Sequence, residues 1–206
     1  MKTVRRIGIF IFNDAEELDF VGPYEVFTMI NTVLQNSGAP DAVEVILISE
    51  DGKDITGKKG MRVGAHAAMT DIKMLDIICV PGGQGARAQL ENTAVIDWIR
   101  NIAKNCEWVT SVCTGSMILS KAGLTKDKNI STFWNAFDEF KALGLDGNLQ
   151  PHVRYVRDGN LLTSAGVSAG IDMALWLTGQ LFTPTFARHV ARGMQYDPAP
   201  PYLADT

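Results

Sequence analysis

Cys113 is the one sulfur in this chain whose setting suits covalent chemistry. The β-branched, apolar run Trp108-Val109-Thr110-Ser111-Val112 precedes it and Thr114-Gly115-Ser116-Met117-Ile118-Leu119 follows, so a short strand gives way to a helix with the thiol at the turn. Such a strand–turn–helix is a nucleophile elbow. Its apex side chain stands above the strand ends, and the helix aims free N–H groups and its positive dipole end at that side chain. A thiol so placed is expected to ionise below the free value of about 8.5. Thr114 and Ser116 add hydroxyls, and Gly115 lets the backbone approach a small substrate. Taken alone, the turn also suits a structural cysteine, a residue type that is often buried.

A nucleophile needs a proton carrier and groups that stabilise charge. Asp19 lies between Leu18 and Phe20, an apolar surround expected to raise its pKa so that it can carry a proton to a reacting atom. The competing reading is a helix-capping carboxylate. Glu16 and Glu17 read as solvated, with either able to exchange roles with Asp19. In Pro81-Gly82-Gly83-Gln84-Gly85, adjacent glycines past a strand end can turn N–H groups toward a ligand, which makes the Gly83 and Thr114 amides candidate oxyanion donors. The G-x-G-x-x-G and Gly-Lys-Ser/Thr spacings of phosphate loops are absent.

His66, His152 and His189 fall outside these loops and read as surface or hairpin residues, so no imidazole is expected beside the thiol. Cys79 reads as inert core and Cys106 as a helix-end residue of modest exposure. Three widely spaced cysteines supply neither a disulfide framework nor metal-ligand spacing.

The elements that must position these groups alternate between strands and helices. Apolar runs at 6–12, Val43–Ser49 and 74–80 read as buried strands that join the elbow strand in a parallel sheet. Turn residues between 51 and 60 mark a small antiparallel excursion, and Asp158-Gly159 marks a hairpin within 153–163. Helices are expected at 23–32 with Pro23 in the first turn, at 93–104, at 136–143, at 171–182 inside the protein, and at Pro184–Gly193 behind the Thr183 cap. The order implies a doubly wound α/β sheet with ligands beyond the carboxyl ends of its strands. That rule gathers the loops 16–23, 81–85 and 112–115.

One domain over residues 1–206 is expected, because no repeat, low-complexity tract or composition shift marks a linker. Asp197-Pro198-Ala199-Pro200-Pro201-Tyr202 reads as an ordered tail or a cover for the site. A net charge of -4 without a basic stripe argues against nucleic acid. The apolar run after Arg6 is broken by Asn13-Asp14-Ala15-Glu16-Glu17, too early for a signal peptide or a membrane span, so a cytoplasmic protein is expected.

Ala15-Glu16-Glu17-Leu18-Asp19, Val80-Pro81-Gly82-Gly83 and Ser111-Val112-Cys113-Thr114-Gly115 resemble the DJ-1/PfpI (ThiJ) superfamily, and the likeness covers nearly the whole chain. Within it, the stretches 110–116, 156–163, 169–172 and 196–201 look most like the isocyanide hydratases. The resemblance implies a flavodoxin-like three-layer sandwich, a homodimer, Cys113 as nucleophile and Asp19 as acidic partner, where many members carry Glu. It further implies a cofactor-independent conversion of small isocyanides to N-formamides, with Thr114 orienting the water or the acid.

Two departures stand out. Thr114 occupies the place of the histidine that follows the cysteine in protease-like members. Phe133 replaces the histidine of the hydratases' Thr-His-Trp, which signals altered specificity or another reaction, and Phe133, Trp134 and Val167 are candidate pocket residues. The alternatives are a glyoxalase or deglycase acting on small dicarbonyls, and a ligand or redox sensor without turnover. The run 18–27 also resembles the sensor domains of AraC-type regulators, whose helix-turn-helix partner domain is not expected before Thr206.

Overall fold

The computed structural model describes residues 4–198, and the apolar runs form the middle of its seven-stranded sheet. In chain order the elements are β1 (Arg5–Phe10), α1 (Glu17–Asn36), β2 (Val43–Ser49), β3 (Ile55–Thr56), β4 (Arg62–Val63), β5 (Ala67–Ala68), β6 (Ile77–Val80), α2 (Ala86–Glu91) and α3 (Thr93–Ala103). Then come β7 (Trp108–Val112), α4 (Gly115–Lys121), β8 (Asn129–Ile130), α5 (Phe137–Ala142), β9 (Asn148–Leu149), β10 (Tyr155–Asp158), β11 (Leu161–Ser164), α6 (Ala169–Leu181) and α7 (Pro184–Gly193). The sheet order is β10-β11-β7-β6-β1-β2-β5, parallel throughout except for the β10–β11 hairpin. The excursion at 51–60 becomes the antiparallel pair β3–β4.

From the centre, the chain winds one way through β2 and the other way through β6 to β7. Right-handed crossovers in opposite directions put their helices on opposite faces. Accordingly α1, α6 and α7 pack together as one layer, and α2, α3 and α4 as the other. This is the α/β, flavodoxin-like sandwich expected from the sequence. Register brings the active end into line: Val80 lies opposite Ser111, and Val112 opposite Ser164. Residues 81, 113 and 165 therefore leave three adjacent strands side by side.

Several boundaries differ from expectation. α1 begins at Glu17, which leaves Pro23 inside the helix. Glu17 and Asp19 in the first turn complement the helix dipole, and Pro23 removes only the N–H that would bond the Asp19 carbonyl. α6 is not interior on all sides. Met173, Ala174 and Leu177 are buried, whereas Leu175 and Trp176 are only partly so. β6 starts at Ile77 because Met74 is exposed, and Cys106 is buried, its thiol on the Ile102 carbonyl at 3.4 Å. The part of the expected tail from Ala199 to Tyr202 lies outside the described residues.

Candidate active site

Cys113 sits one residue past β7 with φ +57, left-handed backbone that costs about 1–3 kcal/mol in a non-glycine residue. Its neighbours over-determine that conformation. The Cys113 N–H donates to the carbonyls of Ser164 and Ala165, both at 3.2 Å. Its own carbonyl accepts the hydroxyls of Ser116 and Thr132, each at 3.1 Å. Thr114 favours the ionised form of the sulfur, while its hydroxyl donates to the Gly83 carbonyl at 3.2 Å. A Cβ on Gly82 would lie 2.4 Å from the Thr114 nitrogen, so only glycine lets the second loop approach the elbow this closely.

Asp19 is fully buried in the first turn of α1. Oδ2 accepts the Gly82 N–H at 2.9 Å and Oδ1 the Val167 N–H at 3.1 Å. The Cys113 thiol donates to the same carboxylate. Val167 holds φ +54, a genuine outlier for a β-branched side chain, while presenting that N–H to Asp19. The first loop is tied to the glycine loop by a bridge between Ala15 and Gly83 and by the Glu16 N–H on the Gly82 carbonyl at 3.0 Å.

Burial pushes Asp19 up to about 7, helped by the Glu16 charge and opposed by the Gly82 and Val167 N–H groups and the Cys113 thiol. Burial also pushes the Cys113 thiol up to about 12, helped by the Asp19 charge and opposed by Thr114. The expected easy ionisation is thereby corrected, because at this turn desolvation outweighs the start of α4. The resting pair is a thiol donating to a carboxylate, and the carboxylate changes charge near neutral pH.

The sulfur faces a cavity of about 340 Å³. Of the expected residues, Cys113, Thr114, Gly83, Phe133 and Val167 line it. Asp19 is packed directly behind the sulfur and is not itself a lining residue. Gly82 and Gly115 are buried in its walls. Trp134 does not line it: its indole is 75% exposed, 5.5 Å from the Phe133 ring. The expectation that the glycine-loop amides face a substrate is also corrected. The Gly82 N–H serves Asp19, and the Gly83 N–H donates to Thr114 Oγ1 at 3.1 Å.

Sequence reasoning missed Lys58, Gln84, Arg87, Asn135, Ala136 and Glu139 on the cavity wall, where Glu16, weighed as a stand-in for Asp19, also lies. Glu16 and Glu17 are not simply solvated. Glu17 is buried and accepts the Lys59 N–H, which holds its carboxyl below the ordinary range, and Glu16 is ion-paired with the Lys59 amine. The turn residues Gly57-Lys58-Lys59-Gly60 gave the signal for a loop but not for its docking, which the Lys58 N–H on the Ala15 carbonyl at 2.8 Å and the Lys59 contacts to Glu16 and Glu17 supply. No histidine lines the cavity. Among the described residues, no group of three or more His, Cys, Asp or Glu side chains could hold a metal ion. A larger cavity of about 510 Å³ along α6 and α7 touches none of these groups.

The family described as DJ-1/PfpI matches residues 5–180. The isonitrile hydratase of Pseudomonas putida is 38% identical over 197 residues, 96% of this chain and 81% of the hydratase. The HTH-type transcriptional regulator CdhR of Pseudomonas aeruginosa is 30% identical over 146 residues, 70% of this chain and 43% of the regulator. Among solved structures, a THiJ/PfpI family protein from Pseudomonas syringae superposes with a TM-score of 0.85 at 25% identity, covering 98% of this chain and 79% of that one. Drosophila melanogaster DJ-1beta shares the fold, with a TM-score of 0.80 at 18% identity over 95% of this chain and 100% of its own.

Proposed function

The chain belongs to the DJ-1/PfpI family, and on that footing we propose that it is a cysteine-dependent hydratase that converts small isocyanides to N-formamides. The observation that carries this reading is the Cys113 thiol hydrogen-bonded to a buried Asp19 whose pKa is near 7, with the sulfur opening on a cavity of about 340 Å³. The 38% identity to an isonitrile hydratase over nearly the whole chain supports it.

In the first step the S–H proton passes to Asp19, which removes the negative charge that opposed ionisation. The sulfur bonds to the terminal carbon of R–N≡C, and Asp19 returns the proton to that carbon to give the thioimidate R–N=CH–S. Water then adds to the same carbon. Asp19 takes its proton and relays it to nitrogen, the C–S bond breaks, and R–NH–CHO leaves as the thiol regains the hydroxyl proton. Thr114 stabilises the sulfur anion at both ends of the cycle, and no step calls on a cofactor. This reading carries with it the homodimer that the resemblance implies and the cytoplasmic setting expected from the interrupted apolar run after Arg6.

The test is formamide production from a panel of alkyl and aryl isocyanides by the reduced protein. Turnover that disappears in both Cys113→Ala and Asp19→Asn supports the two roles. No turnover across the panel overturns the hydratase reading and leaves dicarbonyl chemistry or a sensor role, the latter favoured by the likeness to CdhR.

A further inference from the structure

Arg87, on α2, lines the cavity without touching Asp19 or the sulfur, yet it sits at the centre of the bonding around Gly83. Its Nε and Nη2 donate to the two carboxylate oxygens of Glu139 on α5, the former at 2.9 Å. Its Nη1 donates to the Gly83 carbonyl at 2.9 Å. That carbonyl is also approached by the Ala86 N–H at 3.2 Å and by the Thr114 hydroxyl at 3.2 Å.

A carbonyl oxygen has two lone pairs. The guanidinium, charged and closest, and the Ala86 amide, fixed by the chain, occupy them. Thr114 is the surplus donor. Because the Gly83 N–H already fills the acceptor side of Thr114 Oγ1 at 3.1 Å, the single hydroxyl proton rests on the Gly83 carbonyl at 3.2 Å and has to leave that crowded oxygen to reach the neighbouring Cys113 sulfur as a thiolate forms.

We propose that Arg87, held in place by Glu139, is a positioning residue: by saturating the Gly83 carbonyl it weakens that oxygen's hold on the Thr114 hydroxyl proton, which is then free to turn to the Cys113 sulfur as the thiolate forms. The proposal rests on the reading of Cys113 as nucleophile but not on the identity of the substrate. A purely structural Arg87–Glu139 pair, joining α2 to α5, has no reason to act through Thr114.

The experiment follows the rate of iodoacetamide alkylation of Cys113 against pH, located by peptide mapping, in the unmodified protein, Arg87→Gln, Thr114→Val and the double variant. Arg87→Gln and Thr114→Val are each expected to slow alkylation at neutral pH by about five- to tenfold and to move its profile to higher pH. The double variant is expected to be no slower than Thr114→Val alone. Arg87→Lys restores a donor to Gly83 and should recover part of the loss.

Should Arg87→Gln fail to fold by circular dichroism, Glu139→Gln keeps the guanidinium and is expected to act in the same direction by about two- to threefold, again only when Thr114 is present. Effects that multiply in the double variant, or an unchanged pH profile, overturn the proposal. Label found on Cys79 or Cys106 in place of Cys113 overturns the nucleophile reading beneath it. A non-additive cycle in a protein that hydrates no isocyanide leaves the positioning role standing and removes only the hydratase.

Discussion

Two cysteines lie at the same end of the sheet, and burial pushes both thiols up to about 12 while the Asp19 charge opposes the ionisation of each. Cys79 lies within β6, paired in register with Ile9 and Thr110, and is fully buried beside the Thr110 hydroxyl. Cys113 stands one residue beyond β7 with φ +57, hydrogen-bonded to Asp19 and facing a cavity. Resting acidity therefore does not separate the thiol proposed as nucleophile from the one read as inert core. What separates them is a left-handed turn that lifts one side chain out of the pleat, together with a neighbour able to take the proton as the sulfur attacks.

The largest expected effect falls on that pair. Cys113→Ala should lower isocyanide hydration by about 10⁴-fold or more, as loss of a covalent nucleophile does. Cys79→Ala should leave the rate within about twofold and cost about 1 kcal/mol of stability, measured by urea unfolding. Equal loss of turnover in the two variants would break the distinction between them.

Asp19 comes next. Asp19→Asn keeps the size of the side chain but cannot take the thiol proton, and kcat/KM should fall by about 10²- to 10³-fold. In the unmodified protein kcat/KM should rise with pH through about 7 as Asp19 becomes the carboxylate, and this limb should vanish in the variant. Stability runs the other way. The folded pKa is raised from 3.8 to about 7, so between those values the folded state binds more protons than the unfolded one, and stability declines as pH rises through the window. The Asp19 contribution spans roughly 4 kcal/mol. Denaturant titrations of Asp19→Asn and the unmodified protein at pH 4.5 and pH 8 should differ with that sign. A gap independent of pH would mean that Asp19 is ionised normally.

Particular residues show how much of this was legible in the sequence. The all-apolar run of β7 followed by Thr114-Gly115 located the elbow, and Leu18 and Phe20 announced a buried Asp19. The start of α1 was not legible, because Pro23 satisfies the N1 rule as well as it tolerates the seventh helical position. The thiol's acidity was misread because the helix start is visible in sequence, whereas the desolvation that overrides it arises only from packing. Arg87 and Glu139 are 52 residues apart on short helices, and nothing local announces their pairing. Gly82 and Gly83 were recognised as ligand-facing amides, but their N–H groups serve the Asp19 and Thr114 side chains.

The smallest expected effect concerns the wall that only Cys113 possesses. Phe133 lines the cavity and its ring presses on the backbone of Gly166, where an added Cβ would come within 2.4 Å of it. The ring is thus fixed against a rigid surface and offers an apolar contact to whatever group the isocyanide carries. Phe133→His replaces that contact with a polar one, at the place where the family resemblance led a histidine to be expected. For apolar isocyanides kcat/KM should fall about three- to tenfold, with less loss for members of the panel that carry a hydrogen-bonding group. The iodoacetamide rate of Cys113 should stay within about twofold, since the proton path through Asp19 and Thr114 is untouched. A uniform loss across the panel together with slower alkylation would mean that Phe133 acts by holding the elbow. The wall of the cavity would then belong with the backbone features that distinguish Cys113 from Cys79, and specificity would have to be sought among Lys58, Gln84 and Asn135 on the same wall.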